Sequence, residues 1–479
     1  MNTEKPSSFT PPDNAQLAKL GALFLVYAFI VYILPRPETV KPEGWRLLGI
    51  FCATIAGLIL QPIAGAALVL IAVTLSALIG GLKIGEALAG YADSSVWLVV
   101  AAFMISRALI NTGLARRIAL FFVRIFGGNS LGICYSLGFS DAVLASIIPS
   151  NGARSGGVLL PIVRSICELY GSRPGATANQ LGAFLMVAVY QCVCISTAMY
   201  YTGQASNPIA ARMATEMGFP LTWAKWFTAG IVPGLCCLFL VPVVVRLLIP
   251  PVIRKTPEAP VFAAAQLKEM GPLNRGEQLV GAVFACVCAA WVTSDRTGID
   301  ITVAALVGCG ALILGGIIRW EEVKADSGLW DMFVWYGGLV RLGRALYEAG
   351  ITQAFAKAVG AAFLDYGWVT LFIIALAVYY YTHYGLASIT AHILAMYQPF
   401  VAVLAAKGAP IGLAAMAFAS FVNLSAGLTH YGTTPAPMYY AQEYVSLKTW
   451  WRVGFIVSLV NIAVWSTIGF AWWKIIGIW

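Results

Sequence analysis

The stretch Ile147-Ile148-Pro149-Ser150-Asn151-Gly152-Ala153-Arg154 places small and hydroxyl residues inside an otherwise apolar segment. A second stretch, Leu386-Ala387-Ser388-Ile389-Thr390-Ala391-His392, has the same character far downstream. In both, a proline lies 11 residues after the serine and a basic or titratable side chain lies 4 residues after it. Small residues at a turn that opens a helix let backbone N–H groups reach an anion. The two stretches therefore predict two halves of one anion site.

The composition is that of a polytopic membrane protein. Of the 479 residues, 60% are hydrophobic and 11% are charged, whereas soluble domains carry roughly 25% charged residues. Apolar runs of the roughly 20 residues that a transmembrane helix needs recur along the chain. The ten cysteines lie within these apolar segments and form no plausible cluster with the three histidines, so we predict no disulfide, no metal site and no cofactor.

The net charge of +9 does not indicate nucleic-acid binding. The basic residues lie in loops beside apolar spans, as positive-inside topology requires. Residues 1–14 are polar and proline-rich and show neither a signal peptide nor a transit peptide. We therefore expect a multi-pass protein of a bacterial inner membrane, with its N-terminus in the cytoplasm.

Eleven apolar segments are predicted to cross the bilayer. They are residues 17–34, 45–60, 63–82, 96–110, 181–200, 223–249, 281–292, 301–318, 333–347, 412–428 and 451–475. Residues 131–169 and 368–404 each contain two limbs on either side of a serine turn, which indicates two re-entrant hairpins.

The predicted fold class is an all-α polytopic membrane protein of about 11 transmembrane helices and two re-entrant hairpins, in two inverted repeats. Four parts are expected: an N-terminal segment with the first helix (1–43), repeat 1 (44–249), a cytoplasmic linker (250–277) and repeat 2 (278–479). Each repeat has five spans and one hairpin, and this odd number of crossings inverts the second copy. Inverted repeats with broken helices at matching points are typical of secondary transporters.

Matching residues recur in order at nearly one offset. The pairs are Arg107 and Arg344, Gly80 and Gly315, Ser150 and Ser388, and Gly203 and Gly432, at offsets of 237, 235, 238 and 229 residues.

The candidate site combines both hairpin turns with the breaks at 201–208 and 429–435. Hydroxyls and backbone donors there suit two carboxylates, one held by each hairpin. The alternative is that the small residues serve close helix packing. The predicted substrate-binding residues are Ser150, Asn151, Gly152, Ser388, Thr390, Thr202, Gly203, Asn207, Thr433 and Thr434.

Arg154 and His392 are the predicted charge-compensating residues, since a charged side chain at membrane depth is expensive and usually functional. A cation-coupled carrier would hold Na⁺ there. A charge that belongs to the protein cannot dissociate, so the empty carrier would have to move an uncompensated cation, which predicts obligate exchange. The alternatives are a structural Arg154 and a neutral, packed His392. His383 and His430 occur in two copies of Thr-His-Tyr-Gly and are hydrogen-bonding or structural residues, and Asp141 is a candidate partner of Arg154 or of another cation.

The motifs at 150–157 (Ser-Asn-Gly-Ala-Arg-Ser-Gly-Gly), 387–392 (Ala-Ser-Ile-Thr-Ala-His) and 427–432 (Gly-Leu-Thr-His-Tyr-Gly) resemble the divalent anion:sodium symporter (DASS) family. They are similar in particular to its exchanger branch, which includes plastid 2-oxoglutarate/malate translocators and bacterial citrate/succinate and tartrate/succinate antiporters. The resemblance implies a homodimer with an elevator mechanism. It also implies that Arg154 and His392 occupy the sodium positions. Gly152 stands where the family typically has Thr, and Ile389 where it has Asn.

Three functions remain open at this point. The first is an antiporter that exchanges C4–C5 dicarboxylates such as 2-oxoglutarate, malate or succinate. The second keeps the fold but couples dicarboxylate or citrate uptake to Na⁺. The third is a membrane hydrolase or transferase with Ser150 as nucleophile and His392 as base. No Gly-x-Ser-x-Gly elbow accompanies Ser150, so we expect a transporter and not an enzyme.

Overall fold

The computed structural model describes residues 13–362 and 366–479, and its secondary structure there is helical apart from one isolated β-bridge. Most of the polar stretch at residues 1–14 lies outside the described residues. Within them, nine helices are long and apolar enough to cross a membrane. This confirms the prediction of an all-α polytopic membrane protein.

The α-helices occur in the following order. They are α1 (Asn14–Ala28), α2 (Pro42–Leu60), α3 (Gly65–Leu78), α4 (Ile84–Leu88), α5 (Ser94–Asn111), α6 (Leu114–Phe126), α7 (Ser130–Ala145), α8 (Asn151–Arg154), α9 (Leu160–Leu169), α10 (Gly182–Met199), α11 (Asn207–Glu216), α12 (Trp223–Leu248), α13 (Glu258–Glu269), α14 (Arg275–Thr297), α15 (Ile301–Leu314), α16 (Trp320–Ala325), α17 (Ser327–Glu348), α18 (Ile351–Ala362), α19 (Trp368–Tyr381), α20 (Ile389–His392), α21 (Gln398–Ala406), α22 (Ile411–Ser425), α23 (Pro435–Tyr440), α24 (Leu447–Val464) and α25 (Phe470–Ile475). Short π-helical segments join several of them, at Phe29–Ile33, Ser155–Leu159, Ile393–Tyr397 and Trp465–Gly469.

Each of the eleven predicted spans overlaps at least one of these helices. Three of the eleven correspond to α3, α15 and α17, which do not meet the length and hydropathy conditions for crossing a bilayer. The ninth long apolar helix is instead the second limb of the downstream hairpin, Ile389–Ala406. Apolarity alone therefore does not separate a crossing helix from a hairpin limb.

The chain forms two compact units, and the first comprises Met1–Ala92 and Trp330–Ala354. Within it, Arg341 at the centre of α17 donates from Nε to the Glu86 carbonyl at 2.7 Å. This unit takes segments from both predicted repeats. The boundaries of the compact units therefore differ from those of the predicted repeats.

The second unit comprises Asp93–Leu329 and Phe355–Trp479, and its core is the pair α10 and α22. Gly182–Met199 is 100% buried and Ile411–Leu428 is 94% buried. Two polar bonds join the pair, from the Tyr190 hydroxyl to the Ala426 carbonyl (2.6 Å) and from Gln191 Nε2 to the Gly427 carbonyl (2.9 Å). Each of the two helices leads directly into one of the helix breaks, 201–208 or 429–435. This packing therefore places both breaks at the centre of the unit.

The linker at 250–277 contains a helix, α13, that docks on α6. Arg116 donates to Gln266 (2.6 Å), and Arg117 pairs with Glu277 (2.7 Å). At the far end of the linker helix the Tyr170 hydroxyl donates to Glu258, and this bond lowers the pKa of the Glu258 carboxyl. The basic face of α6 therefore has the linker as a partner.

The two hairpins share one local geometry. In each, a serine caps a one-turn α-helix, a π-helical segment follows, and an α-helix with proline at its start completes the limb. Pro161 and Pro399 lack the N–H of a normal helical bond, and their rings displace the carbonyl four residues earlier. A wider π turn immediately before the proline accommodates that displacement. Each of these two prolines thus lies two residues after the end of a π segment.

The two broken helices also match at atomic detail. A Cβ on Gly203 would lie 2.4 Å from the Thr197 carbonyl oxygen, and a Cβ on Gly432 would lie 2.4 Å from the Ala426 carbonyl oxygen. Both the glycines and the carbonyls they cover are 229 residues apart. The internal repeat seen in the sequence therefore extends to the backbone path at both breaks.

Candidate functional site

The tip of hairpin one is bonded to the broken helix of the second repeat. Ser150 caps α8 by accepting the Ala153 N–H at 3.2 Å. Asn151 donates from Nδ2 to Thr433 Oγ1 (2.8 Å) and to Gln204 Oε1 (3.1 Å). Both amide hydrogens of Asn151 thus bond to the protein. This side chain joins a repeat 1 hairpin to a break in each repeat.

Gly152 allows the closest approach between hairpin one and the second break. A Cβ at this position would lie 2.8 Å from Thr434 Cγ2. A threonine at 152, as is typical of the family, does not fit against Thr434 in this arrangement. The departure from the family pattern is therefore matched by a neighbour that fills the same space.

Alanine at position 152 is expected to reduce transport severalfold, because its methyl group must push the tip away from Thr434. The obstructing atom is a side-chain methyl, so Thr434→Ser in the same chain, which removes that methyl and keeps the hydroxyl, is expected to restore most of the rate. Substrate counterflow into proteoliposomes measures both variants. A double variant no faster than Gly152→Ala would show that the Thr434 contact is not the cause.

The tip of hairpin two has the same cap but different chemistry. Ser388 accepts the Ala391 N–H at 3.3 Å. Ile389, at the position of Asn151, is only 2% exposed and supplies no amide. Ser388 and Thr390 are half-buried and Thr434 is exposed, as is expected of groups at the edge of a binding site. The first N–H groups of each hairpin helix have no carbonyl partner within the helix and point toward the turn.

Arg154 is fully buried and its guanidinium donates only to protein atoms. Nε bonds to Asp141 Oδ1 (3.0 Å), and Nη2 bonds to Asp141 Oδ2 (3.4 Å) and Thr197 Oγ1 (3.2 Å). Nη1 bonds to the carbonyls of Ile148 (2.6 Å) and Gly203 (2.8 Å). These five bonds use all five donors of the guanidinium. Arg154 thus ties the residue before the hairpin turn to the break after α10.

This geometry corrects two expectations about Arg154. The sequence predicts an uncompensated cation beside the substrate, but Asp141 neutralises the charge of Arg154, and both side chains are 0% exposed. No guanidinium donor is left for a carboxylate of the substrate. The suggestion that Asp141 pairs with Arg154 is confirmed.

His392 lies against a second buried histidine, which also corrects its predicted role as a fixed cation. Its Nδ1 is 3.1 Å from His383 Nδ1, and its ring packs on Tyr379 with centroids 4.4 Å apart. A hydrogen bond between two ring nitrogens needs a proton on one and a lone pair on the other. The pair therefore carries at most one positive charge, and His392 faces His383.

Two further predicted site residues have structural partners. The Thr202 hydroxyl donates to the Ser146 carbonyl and accepts from Trp223 Nε1. Asn207 donates to the Thr197 and Tyr200 carbonyls and accepts from Asn423. Both side chains are at most 1% exposed. Their polar groups stabilise the break after α10, so we withdraw them as substrate ligands.

Several polar residues that complete this network are not among the predicted site residues. Gln204, Thr197, Ser196 and Asn423 are buried and bond to predicted site residues or to Asp141. A polar residue inside an apolar run is a usable signal for Gln191 and Asn423. The same signal is weak for Thr197 and Ser196, because serines and threonines are frequent in membrane helices that pack closely.

Comparison with known proteins decides the family. The family model described as the sodium:sulfate symporter transmembrane region matches residues 14–479. The chain belongs to this DASS/sodium:sulfate symporter family. It is therefore a multi-pass membrane transporter and not an enzyme.

Several relatives of this transporter are similar over nearly its whole length. The putative malate transporter YflS of Bacillus subtilis (strain 168) is 42% identical over 96% of this chain and 97% of the relative. Dicarboxylate transporter 1, chloroplastic, of Arabidopsis thaliana is 40% identical over 94% of this chain and 82% of the relative. The inner membrane protein YbhI of Escherichia coli (strain K12) is 32% identical over 95% and 97%. The crystal structure of the Alcanivorax borkumensis YdaH transporter aligns over 97% of this chain and 99% of that one, with 12% identity and a TM-score of 0.49.

Proposed function

We propose that this transporter exchanges C4–C5 dicarboxylates, such as malate, succinate or 2-oxoglutarate, across a bacterial inner membrane. Relatives named malate transporter and dicarboxylate transporter, at 42% and 40% identity, support the substrate class. The similarity to YbhI, named an inner membrane protein, supports the location. A homodimer, an elevator movement, inverted repeats and a cytoplasmic N-terminus belong to the same proposal.

The substrate site in this proposal lies between the two hairpin tips. Each tip starts a helix, and unbonded N–H groups at a helix start attract an anion. Two such tips suit the two ends of a dicarboxylate. The residues that remain as ligands or as walls of the site are Ser150, Asn151, Gly152, Ser388, Thr390, Gly203, Thr433 and Thr434.

The observation that carries exchange is the position of Arg154 Nη1. It lies between two backbone carbonyl oxygens, of Ile148 at 2.6 Å and of Gly203 at 2.8 Å. Carbonyl oxygens are also what a transported metal cation would use as ligands. A guanidinium in that place keeps the hairpin bonded to the break without a metal ion from solution, so no sodium gradient drives the cycle.

The ion pair with Asp141 changes why the empty carrier stays in place. The Arg154 charge is compensated, so it does not by itself prevent the empty carrier from moving back across the membrane. The hairpin tips prevent this movement, because their N–H groups lose water on the way and have no partner when the site is empty. A bound dicarboxylate satisfies them. We therefore expect only the loaded form to cross readily.

Exchange is tested with purified protein in proteoliposomes. Labelled malate should enter vesicles that contain malate, succinate or 2-oxoglutarate, and should not enter vesicles without an internal dicarboxylate. Imposing an inward Na⁺ gradient should leave the rate unchanged. Uptake into empty vesicles that requires Na⁺ would contradict exchange and support the Na⁺-coupled alternative.

A further inference from the structure

Arg154 and the two buried histidines occupy equivalent places in the two repeats. In repeat 1, the Gly203 carbonyl accepts a bond from Arg154 Nη1 at 2.8 Å. In repeat 2, the equivalent Gly432 carbonyl is 2.8 Å from His383 Nε2. His383 then contacts His392, which stands at the position of Arg154. A relay of two imidazoles thus replaces one guanidinium.

The hydrogen bonds restrict where protons lie in this pair. A carbonyl oxygen only accepts, so His383 Nε2 carries a proton toward Gly432. In the neutral pair, His383 Nδ1 is therefore a lone pair, and His392 Nδ1 donates to it. This leaves His392 Nε2 without a proton, 3.5 Å from Thr382 Oγ1.

Thr382 has one hydroxyl proton and three candidate acceptors, of which one is Met396 Sδ at 3.4 Å. Its Oγ1 donates to the Tyr379 carbonyl at 2.9 Å, and His392 Nε2 also faces it. A proton added to His392 Nε2 would donate to Thr382 Oγ1 and leave the bond to Tyr379 intact. The surroundings therefore already contain the acceptor that a protonated pair requires.

We infer that the His383–His392 pair binds one proton together with the dicarboxylate. This proton supplies in repeat 2 the positive charge that Arg154 supplies in repeat 1. This inference rests on the proposed dicarboxylate site. Gly432 precedes Thr433, which bonds to Asn151 at the tip of hairpin one. His392 lies one helical turn beyond Ser388. A dianion between the tips thus favours the charged form of the pair.

No other charge competes for this role in the described chain. The titratable side chain that packs on the pair is Tyr379, whose ring centroid lies 4.4 Å from that of His392 at an interplanar angle of 42°. The basic side chain that acts on His392 is His383 itself, and the Tyr379 backbone is a further hydrogen-bond partner of His392. His430, the third histidine, instead accepts a bond from Trp451 Nε1 at 3.2 Å and is a matched control.

Proton uptake is measured by calorimetry of succinate binding to the purified full-length chain, at neutral pH, in two buffers with different ionisation enthalpies. We expect about one proton taken up per succinate bound, because histidine is the side chain that ordinarily titrates in this range. His430→Gln should retain the uptake. The double variant His383→Gln, His392→Gln should bind succinate with no uptake.

Each contrary outcome has a distinct meaning. Binding of succinate by the unchanged chain without proton uptake overturns the inference, as does uptake that persists in the double variant or disappears in His430→Gln. Absence of binding overturns the proposed function instead. If the double variant does not fold, imidazole ¹⁵N spectra of His430→Gln decide. Succinate must convert one unprotonated ring nitrogen of the pair to N–H, and unchanged nitrogens overturn the inference.

Discussion

Replacing Arg154 with alanine is expected to abolish dicarboxylate exchange and to destabilise the protein by about 3–5 kcal/mol. The substitution leaves the Asp141 carboxylate buried without its partner, since both side chains are 0% exposed. It also leaves the carbonyls of Ile148 and Gly203 without the donor that joins them. Thermal unfolding of the purified chain and counterflow in proteoliposomes measure the two effects.

Two further variants separate the charge of Arg154 from its bridging bonds. The double variant Asp141→Asn, Arg154→Gln removes both charges, so it should recover much of the stability without recovering transport. Arg164→Ala, an exposed arginine on the same limb of hairpin one, should change neither. Near-normal exchange by Arg154→Ala would refute the bridging role.

Alanine at either Gly203 or Gly432 is expected to stop transport and to cost stability at the upper end of the about 1–3 kcal/mol that overpacking usually costs. The added methyl would lie 2.4 Å from a backbone carbonyl oxygen in both cases. Backbone at a helix break cannot rotate away as a side chain does. The break itself must therefore shift, and the donors of Arg154 or His383 lose their acceptor.

The two glycine variants are most informative when compared with each other. Equal losses in melting temperature and counterflow rate would follow from their equivalent geometry. Gly310→Ala in α15 is the control, because nothing lies within 4 Å of its Cβ position and alanine favours a helix. A wild-type rate from either Gly203→Ala or Gly432→Ala would contradict the steric argument.

The hairpins and the repeat were predictable from the sequence because their signals are local. A serine that caps a helix and a proline 11 residues later define the turn and the π segment without reference to the rest of the chain. Gly203 and Gly432 were found as a matched pair for the same reason. Each is required by a carbonyl only six residues away.

The chemistry of the buried charges was not predictable from the same signals. Sequence spacing places Arg154 and His392 at equivalent positions, but not which groups lie opposite them. Asp141 reaches Arg154 only because the limbs of hairpin one fold back on each other. His383 reaches His392 across the corresponding turn. Thr202 and Asn207 failed as ligands because side chains from neighbouring helices take up their polar groups.

The ion pair of Arg154 and Asp141 also constrains how this chain varies among its descendants. A substitution of either residue alone leaves an isolated charge in the protein interior and strongly destabilises the fold. Selection acts against such a variant. The two positions should therefore change together or not at all. The two histidines carry no such constraint in their neutral form, so the second repeat is where coupling to a different ion can evolve one substitution at a time.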